Sequence, residues 1–374
     1  MANSFGYRPA LDGIRAVSIV GVMAFHSGLI RGGWLGVDAF FTLSGFLITT
    51  LLLEESDTTG DIELRAFYWR RILRLLPALL VVAVVCTAHT VLIVPEAHRT
   101  SVVLFFLAVL FYVGNWAAIS GAPQGLLGHT WSLSIEEQFY LLWPPAMRLC
   151  RRRLDGRRMF LALVVTALGS MAYRCMLAHS APEPRLGRYL YLGTITHADA
   201  ILIGCATAYW LHTRSAPATA VLRRVGGAVG WVFILVALTT VPLDYYFSWW
   251  TPTTAIAIAT SLVIVDTARA GSWVGRVLEL APCVWVGKRS YGLYLWHLPV
   301  FVAVSPSAGP MLSLDTRRAL VAWMATFAIA ALSYRYIEAP LLRFKSRPPR
   351  FLLGGHIRDA VGMKPHATRR LSRS

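Results

Sequence analysis

Charged residues are scarce in this chain of 374 residues, and acidic residues are scarcer still. Only 15% of the residues are charged, 56% are hydrophobic, and 36 Lys and Arg outnumber 19 Asp and Glu. The mean hydropathy of +0.55 is too high for a soluble globular domain of this size. Several apolar runs reach the roughly 20 residues that cross a hydrocarbon core of about 30 Å. The composition therefore predicts a multi-pass membrane protein.

Three further absences narrow the class. The five cysteines are scattered without a Cys-x-x-Cys pair, which argues against a disulfide framework and a zinc or other metal site. Short segments of alternating hydrophobicity are absent, which argues against a β-barrel. Only helices and closed barrels satisfy the backbone in lipid, so an all-α transmembrane bundle is expected. No internal repeat is visible, and many transporters are built from such repeats.

The apolar runs give nine clear spans and one ambiguous region. The clear spans are 13–29, 36–53, 75–94, 159–178, 190–211, 226–243, 252–268, 290–306 and 319–338. The region 101–147 contains a strong apolar run at 102–118 and a poorer one at 132–147. One of these two runs is expected to be broken or re-entrant. Irregular backbone at membrane depth is tolerated only inside protein or beside a wet cavity, so this region is expected to line the functional cavity.

The positive charges cluster between the spans, at 65–74, 148–158, 214–224, 269–289 and from 343 to the end. The net charge of +17 therefore indicates positive-inside topology and not a nucleic-acid partner. Placing every cluster in the cytoplasm requires about ten crossings with both termini inside. We predict a transmembrane domain over 1–342 and a basic, partly disordered cytoplasmic tail over 343–374.

The segment "LDGIRAVSIVGVMAFHSG" (11–28) carries three ionisable side chains within an apolar helix. Arg15 and His26 are 11 residues apart, which places them on one helix face about 16 Å apart along the axis. Asp12 lies close to the same stripe. Ionisable groups aligned inside a membrane are usually functional. Arg15 alone can also be a snorkelling interfacial residue, and His26 alone an interhelical hydrogen-bonding group.

Two further segments carry charge at the ends of spans. Asp38 in "GGWLGVDAFFTLSGFLIT" (32–49) is either paired or a helix N-terminal acid that the helix dipole favours. Arg70, Arg71 and Arg74 in "FYWRRILRLLP" (67–77) suit a phosphate clamp, because the planar guanidinium binds phosphate with two hydrogen bonds. Positive-inside anchoring explains the same arginines equally well.

Acids and histidines recur in three later segments. The segment "HTWSLSIEEQFYLLWP" (129–144) contains Glu136 and Glu137, which point about 100° apart on a helix, so at most one easily faces a given partner. A cavity-facing Glu136 can orient a histidine or neutralise an arginine, and a structural ion pair is the alternative. Asp199 in "THADAILIG" and His297 in "SYGLYLWH" lie inside later spans, where each can also be a satisfied structural group.

Together these segments resemble the bacterial membrane acyltransferase family 3, in motif order and over nearly everything from 8 to 340. The Arg-x10-His signature of that family is carried by Arg15 and His26, and its Arg-x-x-Arg by Arg71 and Arg74. The resemblance implies an integral-membrane O-acyltransferase that moves an acyl group, often acetyl, from cytoplasmic acyl-coenzyme A to a hydroxyl. No bound cofactor is expected, since acyl-coenzyme A is a co-substrate.

The resemblance also suggests roles for individual residues. Arg15, Arg70, Arg71 and Arg74 would hold the phosphates of coenzyme A, while the pantetheine arm follows the first span. His26 would act as general base, and Glu136 or Asp12 would stabilise its imidazolium. A covalent acyl-enzyme is an alternative. The expected substrate cavity comprises Asp38, Ser44, His129, Trp131, Asp199, Tyr291 and His297.

The acceptor class stays open between a macrolide, as in antibiotic biosynthesis, and a surface glycan. The sequence departs from the family pattern at His197, where many members have Arg, so a substrate contact there can differ. Many surface-glycan members carry a further hydrolase-like domain, and its absence from this sequence favours a small acceptor such as a macrolide. A membrane transporter that uses the same polar face is the hypothesis from another class.

Overall fold

The computed structural model describes residues 6–179, 184–213, 219–243, 252–268, 271–305 and 315–345. These residues are all-α, as predicted, and no strand occurs among them. The α-helices are, in chain order, α1 (Pro9–His26), α2 (Gly36–Thr59), α3 (Leu64–Ile93), α4 (Glu96–Leu110), α5 (Gly114–Ile119), α6 (Trp131–Arg151), α7 (Gly156–His179), α8 (Pro184–Leu192), α9 (Ala198–Thr213), α10 (Ala220–Thr240), α11 (Pro252–Thr267), α12 (Trp273–Leu278), α13 (Ala281–Lys288), α14 (Ser290–Val304), α15 (Thr316–Ser333) and α16 (Ala339–Leu342).

Five of these helical segments are long and apolar enough to cross a membrane, counting the described residues only. They contain α2, α3, α7, α10 and α15, and the bent pair α8 and α9 forms a sixth if it is one span, with a bend of 53°. Helices α11 and α14 are apolar but shorter, at 16 and 15 residues. The chain is therefore a multi-pass membrane protein with at least five or six candidate spans.

Helix α2 lies at the centre of the bundle. In its most apolar 18-residue window 78% of the residues are buried, against 22–39% for α3, α7, α10 and α15, which face outward. The sequence permits this central position because small residues let helix backbones approach closely. A methyl group on Gly45 of α2 would lie 2.0 Å from the carbonyl oxygen of Ile201, and one on Gly204 of α9 would lie 2.0 Å from that of Thr42. These two glycines allow α2 and α9 to pack backbone to backbone.

The chain between α4 and α6 is irregular, in agreement with the broken segment predicted for 101–147. Helix α4 ends at Leu110, and Tyr112 follows in the left-handed region with φ of 55°. Side chains here provide hydrogen bonds to backbone groups that lack helical partners. The amide of Gln138 donates to the carbonyl of Tyr112 at 2.8 Å, and Asn115 donates to the carbonyl of Leu192 at 3.1 Å. This network allows non-helical backbone beside the buried start of α6.

Ion pairs join three helix ends on one side of the bundle. Asp57 of α2 contacts Arg151 of α6 at 2.8 Å and His212 of α9 at 3.2 Å. Asp61, in the link to α3, pairs with Arg148, and the hydrogen bond from that guanidinium lowers the pKa of Asp61 to about 2. This pair therefore stays ionised at physiological pH. The basic clusters 65–74 and 148–158 accordingly lie on the same side.

The predicted basic tail falls almost entirely outside the described residues, which end at 345. The boundary at 342 therefore stays a prediction.

Candidate active site

A small cavity with both polar and apolar walls lies between α1, α2, α3, α6 and α14. Its volume is about 70 Å³. Three arginines, one glutamate and several hydroxyl groups line it, namely Arg15, Arg71, Arg74, Glu136, Ser44, Ser132, Tyr140, Ser290, Tyr291 and Tyr294. Six of the predicted site residues therefore meet here, although they are spread over nearly 280 positions of sequence, namely Arg15, Ser44, Arg71, Arg74, Glu136 and Tyr291. Three cations around so small a volume favour an anionic ligand.

The arginines of α3 divide into two groups. Arg71 lies over the rings of Phe67 and Tyr140, with its guanidinium carbon 5.5 and 4.8 Å from their centroids. Arg74, one turn further along, lines the same cavity. Arg70 points elsewhere, because neighbouring residues on a helix diverge by about 100°. Its side chain is 43% exposed and pairs with Glu55 at 3.3 Å, so its predicted place beside Arg71 and Arg74 is not supported.

Glu136 is held in the cavity by two hydroxyl groups. Ser44 of α2 and Tyr140, one turn along α6, both donate hydrogen bonds to its Oε1. Tyr291 also lines the cavity and donates to the carbonyl of Leu75 at 2.7 Å. Glu136 is thus placed to balance the arginine charge, one of its two predicted roles. None of its hydrogen bonds among the described residues reaches His26.

Asp12 also lies away from His26. Its carboxylate accepts a hydrogen bond from Tyr7 at 2.8 Å and contacts Arg15 at 3.7 Å. Asp12 and His26 are 14 positions apart on the same helix, which corresponds to about 21 Å along the axis. The predicted contact between a carboxylate and His26 is therefore provided by neither Asp12 nor Glu136.

The neighbour of His26 is a second histidine. Nδ1 of His26 lies 3.2 Å from Nε2 of His297 and 3.0 Å from the carbonyl oxygen of Val22. The His26 ring is half-buried at the end of α1, while His297 of α14 is 0% exposed. His129 packs against His297 with ring centroids 5.1 Å apart. Within the described ranges no group of three or more His, Cys, Asp or Glu side chains could hold a metal ion.

Pro299 explains how His129 is held beside this pair. Proline has no backbone N–H, so the carbonyl of Leu295, four residues earlier in α14, loses its helical donor. Nε2 of His129 takes that place and donates to the Leu295 carbonyl at 3.2 Å. The histidine preceding α6 is thereby attached to the helix that carries His297.

Tyr294 connects the arginine cavity with the histidine pair. Its hydroxyl lies 2.6 Å from Oγ of Ser132 and donates to the carbonyl of His129 at 2.5 Å. Its own carbonyl accepts a hydrogen bond from Nδ1 of His297 at 2.6 Å. Ser132, Tyr140 and Tyr294 were not singled out from the sequence, although each lies within one of the motifs quoted above.

Asp38 and Trp131 belong to a separate buried cluster. Asp38 contacts Nδ1 of His197 at 3.0 Å, and both side chains are 1% exposed. Nε2 of His197 donates to the carbonyl of Tyr191 at 2.9 Å, and the Trp131 ring lies 5.2 Å from the His197 ring. The departure from the family pattern at His197 is thus the partner of Asp38.

Asp199 is part of a buried ion pair and does not line the cavity. Its two oxygens accept from Arg174 of α7 at 2.7 and 2.9 Å, and both side chains are 0% exposed. Thr254 donates to the same carboxylate at 2.5 Å. Arg174 was missed from the sequence, although a lone arginine inside the apolar run 159–178 is costly in lipid and marks a paired group.

Comparison with known proteins agrees with the motifs. A family model described as "Acyltransferase domain" matches residues 8–337. The peptidoglycan O-acetyltransferase OatA of Listeria monocytogenes is 34% identical over 353 residues, covering 90% of this chain and 56% of that protein. The O-acetyltransferase OatA of Staphylococcus aureus is 32% identical over 353 residues, with coverages of 90% and 57%.

The chain thus spans about half the length of the curated relatives it matches. No solved structure matches it. The match to the family model nevertheless runs from just before α1 to just past the end of α15. The chain belongs to the membrane acyltransferase family 3.

Proposed function

We propose that the protein transfers an acetyl group from acetyl-coenzyme A to a hydroxyl group of a glycan. The observation that carries this proposal is the cavity lined by Arg15, Arg71 and Arg74, which Tyr294 links to the pair formed by His26 and His297. The names of the relatives support an O-acetyltransferase and a peptidoglycan-type acceptor. They favour a glycan over a macrolide, and family membership speaks against a transporter.

The proposed topology has ten crossings with both termini in the cytoplasm. Each basic cluster then lies on the cytoplasmic side, as the positive-inside rule requires. The ion pairs of Asp57 and Asp61, which join the ends of α2, α6 and α9 on one side, are compatible with this arrangement. Arg15 would lie near the cytoplasmic surface and His26 about 16 Å deeper.

Donor binding begins with the arginines in this scheme. The guanidinium groups of Arg15, Arg71 and Arg74 contact phosphate oxygens of coenzyme A, and the thin pantetheine arm continues along α1 toward His26. The cavity of about 70 Å³ is far smaller than the roughly 300–1,000 Å³ of most ligand pockets, so the donor must widen it on entry. Arg71 and Arg74 are half-buried, and in this scheme their long side chains move aside as the donor enters.

The chemical step needs one base. His26 takes the proton of the acceptor hydroxyl as its oxygen attacks the thioester carbonyl. The C–S bond then breaks, and coenzyme A leaves with the proton that His26 returns. A direct transfer of this kind needs no enzyme nucleophile, and a covalent acyl-enzyme is the alternative.

Sealed membrane vesicles test donor, acceptor and sidedness together. Soluble peptidoglycan oligosaccharides are sealed inside inside-out and right-side-out vesicles and kept in the medium, so that both faces carry acceptor. Acetyl-coenzyme A is then added outside, and free thiol and acetylated product are measured. We expect thiol release only in inside-out vesicles, because coenzyme A is too highly charged to cross lipid. For each thiol released, we expect one oligosaccharide to carry one additional acetyl group.

Vesicles without the protein give the background. Thiol release confined to right-side-out vesicles would overturn the topology. A macrolide panel run in parallel decides the acceptor, since acetylation of a macrolide and no oligosaccharide would assign the protein to the other class.

Arg71→Ala or Arg74→Ala should raise the KM for acetyl-coenzyme A about 10- to 100-fold. A charge-assisted phosphate contact is worth about 1.5–3 kcal/mol, and each 1.4 kcal/mol is about tenfold in affinity. The KM for the acceptor should change little. Steady-state kinetics with each substrate varied in turn measures both values.

Arg70→Ala is the matched control, because it removes the same charge from the same cluster. Its side chain pairs with Glu55 outside the cavity, so we expect less than about a twofold change in donor KM. Equal effects of all three substitutions would identify the arginines as topology anchors and not as a phosphate clamp.

A further inference from the structure

The hydrogen bonds around His297 determine where its proton lies. Nδ1 of His297 is 2.6 Å from the carbonyl oxygen of Tyr294, and a carbonyl oxygen can only accept. Nδ1 therefore carries the hydrogen. His297 is 0% exposed, and no ion pair to it occurs among the described residues, so the neutral imidazole is the form that burial favours. Its Nε2 then carries a lone pair and can only accept.

The same reasoning extends to His26. Its Nδ1 lies between two acceptors, Nε2 of His297 at 3.2 Å and the carbonyl oxygen of Val22 at 3.0 Å. Nδ1 of His26 must carry the hydrogen that both acceptors share. In a neutral imidazole the other nitrogen, Nε2, then carries the lone pair. That nitrogen has no hydrogen-bond partner among the described residues, and the ring is only half-buried.

We propose that His297 is a positioning residue, which holds His26 in the tautomer with hydrogen on Nδ1 and leaves Nε2 to accept the proton of the acceptor hydroxyl. This inference rests on the proposed function, in which His26 is the general base. His297 occupies the place that a carboxylate has in a catalytic triad. It differs in being neutral, so it orients the ring without adding a negative charge.

The surroundings of His297 fit this task, because they fix its ring on several sides. Its Nδ1 is tied to Tyr294 one turn earlier, His129 packs against one side, and Phe301 contacts it edge-on with ring centroids 5.9 Å apart. A ring fixed in this way presents its Nε2 in one direction. His26, at the last turn of α1, has no other side chain as hydrogen-bond acceptor in the described part of the chain.

The test compares His297→Leu with His297→Gln. Leucine fills the volume but cannot accept a hydrogen bond, whereas the glutamine oxygen can take the place of Nε2. We expect His297→Leu to lower kcat about 10- to 100-fold. This loss is smaller than that expected for removing the base itself, because the carbonyl of Val22 still accepts a hydrogen bond from Nδ1 of His26. KM for both substrates should stay within about twofold, and His297→Gln should recover most of the lost kcat.

Phe105→Leu controls for packing, because Phe105 of α4 is a buried core ring, 4% exposed, that does not line the arginine cavity. It should lower the unfolding temperature as much as His297→Leu while leaving kcat near that of the wild type. Equal kcat values for His297→Leu and the wild type would overturn the inference. So would a His297→Gln variant as slow as His297→Leu.

A second measurement does not depend on activity. The ¹⁵N shifts of labelled histidine distinguish the two neutral tautomers, and the His26 signal is the one lost in His26→Gln. We expect hydrogen on Nδ1 in the wild type and a mixture of tautomers in His297→Leu. Hydrogen on Nε2 in the wild type would refute the inference whatever the acceptor is. An active His26→Ala variant would instead refute the proposed base, so the two failures are distinguishable.

Discussion

Replacing His26 by alanine is expected to lower the rate of acetyl transfer about 10²- to 10⁴-fold, the usual contribution of a general base. His26 lies at the deep end of the α1 face that carries Arg15, and its Nε2 is the unpaired nitrogen of the histidine pair among the described residues. The variant should still fold, since it loses only a half-buried ring at a helix end. Turnover per molecule of folded protein in the vesicle assay measures the effect.

His179→Ala is a closely matched control. His179 is also the last residue of a helix, α7, and its Nδ1 also contacts the carbonyl four residues earlier, that of Cys175, at 2.8 Å. Its side chain is exposed, so the same substitution should leave transfer within about twofold. Near-normal turnover of His26→Ala at equal abundance would remove His26 from the mechanism.

Relations within one helix could be predicted from the sequence. The spacing of Arg15 and His26 places both on one face because the helix repeat is fixed, and the divergence of Arg70 from Arg71 follows from the same repeat. The break within 101–147 was predicted from the loop charges, because placing the basic clusters on both sides of it in the cytoplasm leaves one net crossing for two apolar runs. The all-α class followed from the length of the apolar runs together with the absence of short alternating segments.

Contacts between helices could not be predicted in the same way. His297 reaches His26 across 271 positions, and His197 reaches Asp38 across 159. Helix periodicity describes which residues share a face, but it does not say which neighbouring helix covers that face. Which helices are neighbours depends on close backbone approach at small residues, as at Gly45 and at Gly204, and on the polar groups that must be satisfied in lipid.

Asp199 is the clearest case in which the sequence of one helix could not predict a contact with another. A buried aspartate in a membrane helix is expected to be functional or paired, and the sequence of its own helix contains nothing that separates the two cases. The partner, Arg174, lies on α7 in a run that otherwise reads as a plain span. Once both are placed, two hydrogen bonds and full burial explain the aspartate without a substrate.

Replacing Arg174 by leucine is expected to destabilise the fold by about 3–5 kcal/mol, the usual cost of leaving one charge of a buried pair uncompensated. Asp199 would keep the hydrogen bond from Thr254 but lose both guanidinium donors. Thermal and denaturant unfolding of the purified protein in detergent measure the loss, together with the yield of folded protein.

Arg158→Leu provides the control on the same helix. Arg158 pairs with Asp155 at 3.6 Å, and these side chains are 72% and 63% exposed, so the same substitution should cost less than about 1 kcal/mol. Combining Arg174→Leu with Asp199→Leu should restore much of the stability, because a well-packed apolar pair can replace a buried ion pair. Similar stabilities of Arg174→Leu and Arg158→Leu would mean that the ion pair of Arg174 and Asp199 does not stabilise the fold.

The double variant also decides the role of Asp199 in the reaction. If the pair is structural, Arg174→Leu with Asp199→Leu should fold and transfer acetyl groups with a KM for the glycan within about threefold of the wild type. The carboxylate is enclosed by Arg174 and Thr254 and does not line the arginine cavity. A folded double variant with a much higher acceptor KM would return Asp199 to the substrate site that its sequence motif first suggested.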